Sequence, residues 1–206
     1  MCSFLILLKK DLIKLKKKME NKMENIANEL VKIHNESFKN KVEDKYFSEM
    51  MLSEQYEIYC LFNFVRENIF IEKLKKEDKN KISEKSQKEK TDFGKNEKFE
   101  KNMLGYVAFY GTIESIDIFE VAIKKEYQGQ GFGEKLLIES MKNLIKDNEN
   151  IRIKNIHFSG EKFLLEVNEN NEKALKLYKK IGFEEIYVRK NYYGNNENAI
   201  IMMKSI

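Results

Sequence analysis

Ile26, Leu30, Ile33 and His34 recur at helical spacing, with Ala27 and Val31 widening the apolar stripe, and predict a helix over roughly 25–35 that runs into a turn at 35–40. Tyr46, Phe47, Met50 and Met51 predict a second, shorter helix. Residues 56–64 are rich in aromatic and β-branched side chains and read as a strand. Two further strands, 103–109 and 115–123, flank a turn at Tyr110-Gly111-Thr112 and form an expected antiparallel pair. Gly131 and Gly133 open a helix reaching about Lys146, in which Leu136, Leu137, Ser140, Met141, Leu144 and Ile145 make a buried stripe. Beyond it come a candidate edge strand at 151–156, a stronger strand at 163–167, and a helix at 171–181. A late hairpin strand carrying Tyr187, Arg189, Tyr192 and Tyr193 and a last strand at 199–203 complete the pattern. This order predicts an α/β (α+β) core, a mixed sheet with helices against it.

Two stretches fall outside that pattern. Residues 1–24 form a basic N-terminal extension holding seven lysines and three acids, and they supply the whole net charge of +4. Residues 72–101 hold 11 lysines and 8 acids with few large apolar side chains, too little to repay the entropy of ordering, and read as a charged low-complexity insertion. The remainder, 25–206, is expected to be one domain.

Across all 206 residues, 42% are apolar and 35% charged, which suits a soluble globular chain. A small, localised positive charge gives no footprint for stable nucleic-acid binding. Cys2 and Cys60 cannot make a four-cysteine zinc site, and with only His34 and His157 beside them nitrogen- and sulfur-rich metal sites are poorly supplied, so no metal is expected. The Phe4–Leu8 run is too short to cross a bilayer and precedes the lysines, the wrong order for a secretory signal. No transmembrane segment, a cytoplasmic location and a monomer are therefore expected, and Met19 or Met23 is an alternative start to Met1.

The segment Val121-Ala122-Ile123 leads through Gln128-Gly129-Gln130-Gly131-Phe132-Gly133 directly into an amphipathic helix. Glycines at alternate positions remove β-carbons from a tight turn and expose successive backbone amides. The helix N-terminus adds unsatisfied donors and a positive dipole end, a geometry suited to phosphate or pyrophosphate. The alternative is a turn that only lets the helix approach the sheet. No Gly-Lys-Ser/Thr follows, and the dinucleotide spacing fails at Glu134 and Leu136.

Further on, Asn171 can cap a helix in which Ala174, Leu177, Tyr178 and Ile181 share one stripe, with Gly182 placed for a C-cap. Tyr178 thus faces the core with a hydroxyl that needs a partner, either a backbone carbonyl or something functional. Glu166 interrupts an apolar strand and lies either on its solvated face or in a cleft.

The Gln128-x-x-Gly131-x-Gly133 turn resembles the acetyl-coenzyme A loop of the GNAT family of N-acetyltransferases. Glu166, Asn171, Tyr178 and Gly182-Phe183 are similar to the signature of its bacterial ribosomal-protein alanine N-acetyltransferases, as are Arg189-Lys-Asn-Tyr-Tyr193 and Asn198-Ala-Ile-Ile-Met202. The resemblance spans roughly 103–206. It implies a GNAT fold, a mostly antiparallel sheet splayed at the cofactor strands, with acetyl-CoA as cosubstrate. The amides from Gln128 to Gly133 would cradle its pyrophosphate, the splayed strand at Val121, Ala122 and Ile123 would bind its pantetheine arm, and Asn171 would assist. Glu166 would be general base and Tyr178 general acid. Phe38, Tyr192 and Tyr193 would line the entry of the acceptor, a protein N-terminus, with the alanine end of a small-subunit ribosomal protein as the expected substrate.

The roles agree with ordinary acid–base chemistry. An α-amino group, with a pKa of about 8, needs only a moderate base, and a thiolate leaving group welcomes a hydrogen-bond donor. Neither cysteine sits in a nucleophile setting, so direct attack in a ternary complex is expected. Two alternatives remain: acetylation of a small amine or lysine side chain, and a non-catalytic module that binds coenzyme A or a protein.

Overall fold

The computed structural model describes residues 4–8, 20–64, 101–150, 160–194 and 196–206. Strand β1 (Phe4–Leu8) precedes helices α1 (Glu20–Ser37) and α2 (Lys45–Leu52). Strands β2 (Tyr56–Phe64), β3 (Lys101–Gly111) and β4 (Ile116–Ile123) follow, then a 3-10 turn (Lys125–Tyr127) and helix α3 (Phe132–Asn150). Strand β5 (Lys162–Asn168), helix α4 (Glu172–Lys180) and strands β6 (Glu184–Arg189) and β7 (Ala199–Ser205) complete the described elements. The strands form one sheet in the order β1-β2-β3-β4-β5-β7-β6. Every pairing is antiparallel except β4 with β5.

The helical stripes of the sequence become two cores on opposite faces. On one, Leu136, Leu137, Met141 and Leu144 of α3, with Tyr178 of α4, bury against Leu104, Val107, Ile116, Phe163 and Leu165. On the other, Ala27, Leu30 and Ile33 of α1 and Phe47 and Met50 of α2 cover Ile58, Cys60, Tyr106 and Ala122. Each large apolar side chain fully removed from water contributes about 1.5–3 kcal/mol, so both layers are held firmly to the sheet.

A bulge and a close strand contact set the course of β4. Ala108 pairs with Glu120 but Phe109 with Ile118, so Phe119 is an extra, bulged residue. Ile116 and Ile118 before the bulge, and Ile123 after it, belong to the α3/α4 core, while Ala122 joins the α1/α2 core. The bulge therefore turns Glu120 towards α1. At Gly105, opposite Ile123, a β-carbon would overlap the Ala122 carbonyl oxygen, so β3 and β4 approach closely only because this residue has no side chain.

Two expectations change. Part of the stretch set apart as an N-terminal extension is in the sheet: Phe4–Leu8 pairs antiparallel with β2, and α1 begins at Glu20. Tyr192 and Tyr193 lie in the turn after β6 rather than on a strand, because β6 ends at Arg189 and the chain takes positive φ at Asn191 and Gly194. The predicted strand at 151–156, His157 and nearly all of the 72–101 insertion lie outside the described residues.

Candidate active site

The parallel pairing of β4 and β5 covers only Ile116–Phe163, Asp117–Leu164 and Ile118–Leu165. Beyond it the strands part. Residues 120–123 continue to pair with β3 on one edge, and among the described residues no strand pairs with their opposite edge. Glu166 is the first residue of β5 past the last parallel pair, so its carboxylate starts where the opening starts.

The glycine turn closes one end of that opening. Gly129 and Gly131 adopt φ of +74° and +81°, and a β-carbon at either would meet nothing within 4 Å. The strain of the left-handed conformation, not crowding, is what demands glycine there, and the space beside both is open. Phe132, Gly133 and Glu134 form the first turn of α3, whose amides have no carbonyl within the helix to pair with; the ladder begins with Lys135 N–H donating to Gly131 O. Gln128 is used differently from expectation. Its backbone amide donates to Lys125 O and its side-chain Nε2 to Ile123 O at 2.9 Å, so it ties the turn to the end of β4 instead of presenting donors to a ligand. Gln130 likewise donates its side chain to Glu126 O.

Gly133 joins this end to α4, since a β-carbon there would lie 3.7 Å from both Ile123 Cγ1 and Leu177 Cδ2. Next to Leu177, Tyr178 is 7% exposed. Burial, with a smaller contribution from Tyr193, pushes its phenol up to about 12. Asn171 caps α4, its Oδ1 accepting from Ala174 N–H at 3.2 Å, which leaves its amide NH2 uncommitted among the described residues.

Around Glu166 the late residues converge. Arg189 Nη1 lies 3.0 Å from Glu166 Oε1, and the guanidinium sits 4.8 Å from the centre of the Tyr192 ring. The Tyr192 hydroxyl donates to Glu166, and that bond, with the carboxylate's charge, raises the phenol's pKa. Tyr193 packs edge-on to Tyr192 with ring centres 5.0 Å apart, and burial raises its pKa, with Glu166 and Tyr192 adding to the rise. Tyr193 is thus close enough to sense both Glu166 and Tyr178. Arg189 is the ion partner of Glu166.

Phe38 lies in the α1–α2 connection, its ring 4.7 Å from that of His34. Behind it is a polar cluster that sequence reading did not find. Glu120 accepts from the hydroxyls of Tyr46 at 2.5 Å and Tyr106 at 2.8 Å, and its Oε2 is 3.0 Å from His34 Nδ1. Periodicity marked His34 as a core position and missed its partner 86 residues away, which the β4 bulge delivers. Among the described residues no cluster of three or more His, Cys, Asp or Glu could hold a metal, and no helix is long and apolar enough to cross a membrane.

A mixed sheet whose parallel pair parts over a glycine turn and a helix N-terminus is the fold of GNAT acetyltransferases. The family model described as "Acetyltransferase (GNAT) domain" matches residues 96–185. The [ribosomal protein bS18]-alanine N-acetyltransferase of Haemophilus influenzae is 36% identical over 104 residues, 48% of this chain and 63% of that protein. A putative [ribosomal protein bS18]-alanine N-acetyltransferase of Bacillus subtilis is 36% identical over 106 residues, 51% of this chain and 63% of its own length. The chain therefore spans less than two thirds of these curated relatives. In three dimensions it is similar to the ribosomal-protein-S18-alanine N-acetyltransferase of Escherichia coli, with a TM-score of 0.58, 21% identity and coverage of 100% of this chain and 94% of that one. Over residues 96–185 the chain is thus similar in sequence to GNAT acetyltransferases, and its fold is theirs.

Proposed function

We propose that this chain transfers an acetyl group from acetyl-CoA to a protein N-terminal amine, and that the acceptor is the N-terminal alanine of a small-subunit ribosomal protein. The observation that carries this reading is the end of β4–β5 pairing at Ile118 and Leu165, which opens a free strand edge between the glycine turn and Glu166. The acceptor assignment rests on likeness to relatives named for that substrate and on the aromatic residues beside Glu166.

The residues present fit acetyl-CoA. Gly129 and Gly131 leave open space against the turn, α3 starts directly after it, and the N-terminal end of a helix favours a pyrophosphate. The free edge at Val121–Ile123 can pair with a pantetheine arm as with an added strand. Bound there, acetyl-CoA supplies the acyl group as a thioester.

Glu166 then takes the proton from the attacking amine, directly or through one water. Arg189 and the Tyr192 hydroxyl fix where its carboxylate points, and an N–H on the free edge of β4 stabilises the oxyanion. Tyr178 stays protonated through neutral pH because burial raises it. A phenol near 12 is a weaker acid than a thiol at about 8.5, so its part is a hydrogen bond to the charge growing on sulfur rather than completed proton transfer. Tyr192 and Tyr193 on one side and Phe38 on the other wall the acceptor's path.

Thiol release from acetyl-CoA should be measured with a set of short peptides differing at residue one, and with spermidine and a lysine peptide blocked at its N-terminus. Release with an alanine-first peptide that exceeds all the others supports the reading. Release only with spermidine or the blocked lysine peptide rejects the N-terminal acceptor.

A further inference from the structure

Glu120 gathers three elements at one carboxylate. It accepts from Tyr106 of β3, from Tyr46 in the first turn of α2, and meets Nδ1 of His34 near the end of α1. Both side chains of its pair with His34 are buried to nine-tenths or more, at 10% and 5% exposure. His34 and Tyr46 are the residues at which the chain enters and leaves the α1–α2 connection that carries Phe38. His34 reaches into that connection as well, through its Nε2 and the Asn40 carbonyl oxygen at 3.0 Å.

A carbonyl only accepts, so Nε2 carries a proton. Nδ1 lies 3.0 Å from Glu120 Oε2 and 3.2 Å from the Tyr106 hydroxyl. The ring is thus held at both nitrogens, one bond to the connection and one to β4. Asn35 closes the connection from within, donating through Nδ2 to Val42 O at 3.0 Å and accepting from Val42 N–H at 2.9 Å. Glu120 itself stands one residue before Val121, on the strand edge proposed to grip the acyl donor.

Resting on the acyl-transfer reading, we propose that Glu120 is a positioning residue for acceptor recognition. Through His34 and Tyr46 it fixes the 38–44 connection, and with it Phe38, against the strand that holds the donor. Loss of the tether loosens the acceptor wall and leaves the donor cradle on the other side of the sheet intact. Among the described residues, the glycine turn and α3 make none of their bonds through Glu120, His34 or Tyr46.

The test uses the full chain with Glu120→Gln and, as a milder change that removes only the exit bond, Tyr46→Phe. The proposal predicts an apparent KM for an alanine-first peptide raised about tenfold in Glu120→Gln and several-fold in Tyr46→Phe, with KM for acetyl-CoA held within about twofold. It also predicts amide hydrogen exchange at Phe38 and Val42 at least about tenfold faster in the ligand-free chain, with exchange along β4 unchanged. Exchange at those two amides that matches the unaltered chain overturns it, as do KM values for peptide and acetyl-CoA that rise together. If the unaltered chain turns over no acceptor, the acyl-transfer reading fails by itself, and the exchange measurement still decides whether the tether exists. If Glu120→Gln does not fold, Tyr46→Phe carries both measurements.

Discussion

Glu166 is half-exposed and held from two directions, by the Arg189 guanidinium and by the Tyr192 hydroxyl. If it is the base, Glu166→Gln lowers kcat for a peptide acceptor by about 10²–10⁴, because a positioned base contributes on that order, and leaves coenzyme A affinity unchanged by calorimetry. Arg189→Gln is expected to cost no more than about 1 kcal/mol in a urea melt, since both partners of the ion pair meet water, yet to slow turnover by releasing the carboxylate. Tyr178→Phe should slow acetyl transfer while the dissociation constant for coenzyme A stays within about twofold. At this scale the sequence showed types and hid partners. Tyr178 was legible as a core-facing position because a helix stripe is periodic. The Arg189–Glu166 and His34–Glu120 pairs were not, because contacts made across a sheet leave no local pattern.

Strand β4 and the turn after it are where single glycines decide the geometry. Gly105→Ala must push the Ala122 carbonyl away or bend β3, and about 1–3 kcal/mol of lost stability is expected by chemical denaturation. Gly131→Ala meets no neighbour, so its cost is only the conformational strain of φ +81°, roughly 1 kcal/mol. It should nevertheless weaken coenzyme A binding by distorting the donor turn. Helix stripes and most strand spans could be read from apolar spacing. The bulge at Phe119 could not, since alternation simply breaks there and nothing in the residue types says which way the strand continues. Strand β1 was missed for a related reason: five consecutive apolar residues beside a lysine run carry no alternation, and only a partner edge on β2 gives them a place.

For the molecule as a whole, the charged stretch between β2 and β3 and the response to alkali offer separate checks. Phe64 and Lys101 are register partners, so the two ends of the intervening stretch lie together, and a change in its length is expected to cost little. Deleting 75–98 is expected to preserve the cooperative melt and coenzyme A affinity, measured side by side with the full chain. Tyr178 binds its proton more tightly folded than unfolded, so its contribution to stability is complete below about pH 10 and is lost as pH rises towards about 12. Tyr178→Phe should remove about 2 kcal/mol of the fall in unfolding free energy between about pH 9 and about pH 12, read from urea melts at both. The helices and a mixed sheet followed from apolar patterning along the chain, whereas the sheet order and the division into two cores did not. The parting of β4 from β5, on which the proposed function rests, is a tertiary event that patterning alone does not reach. Acceptor-dependent thiol release from acetyl-CoA, compared between the unaltered chain and Glu166→Gln with coenzyme A binding measured on both, tests that opening most directly. Release with an alanine-first peptide that collapses in the variant while binding persists is the predicted result. Equal release in the two proteins, or none with any amine despite bound coenzyme A, would contradict it.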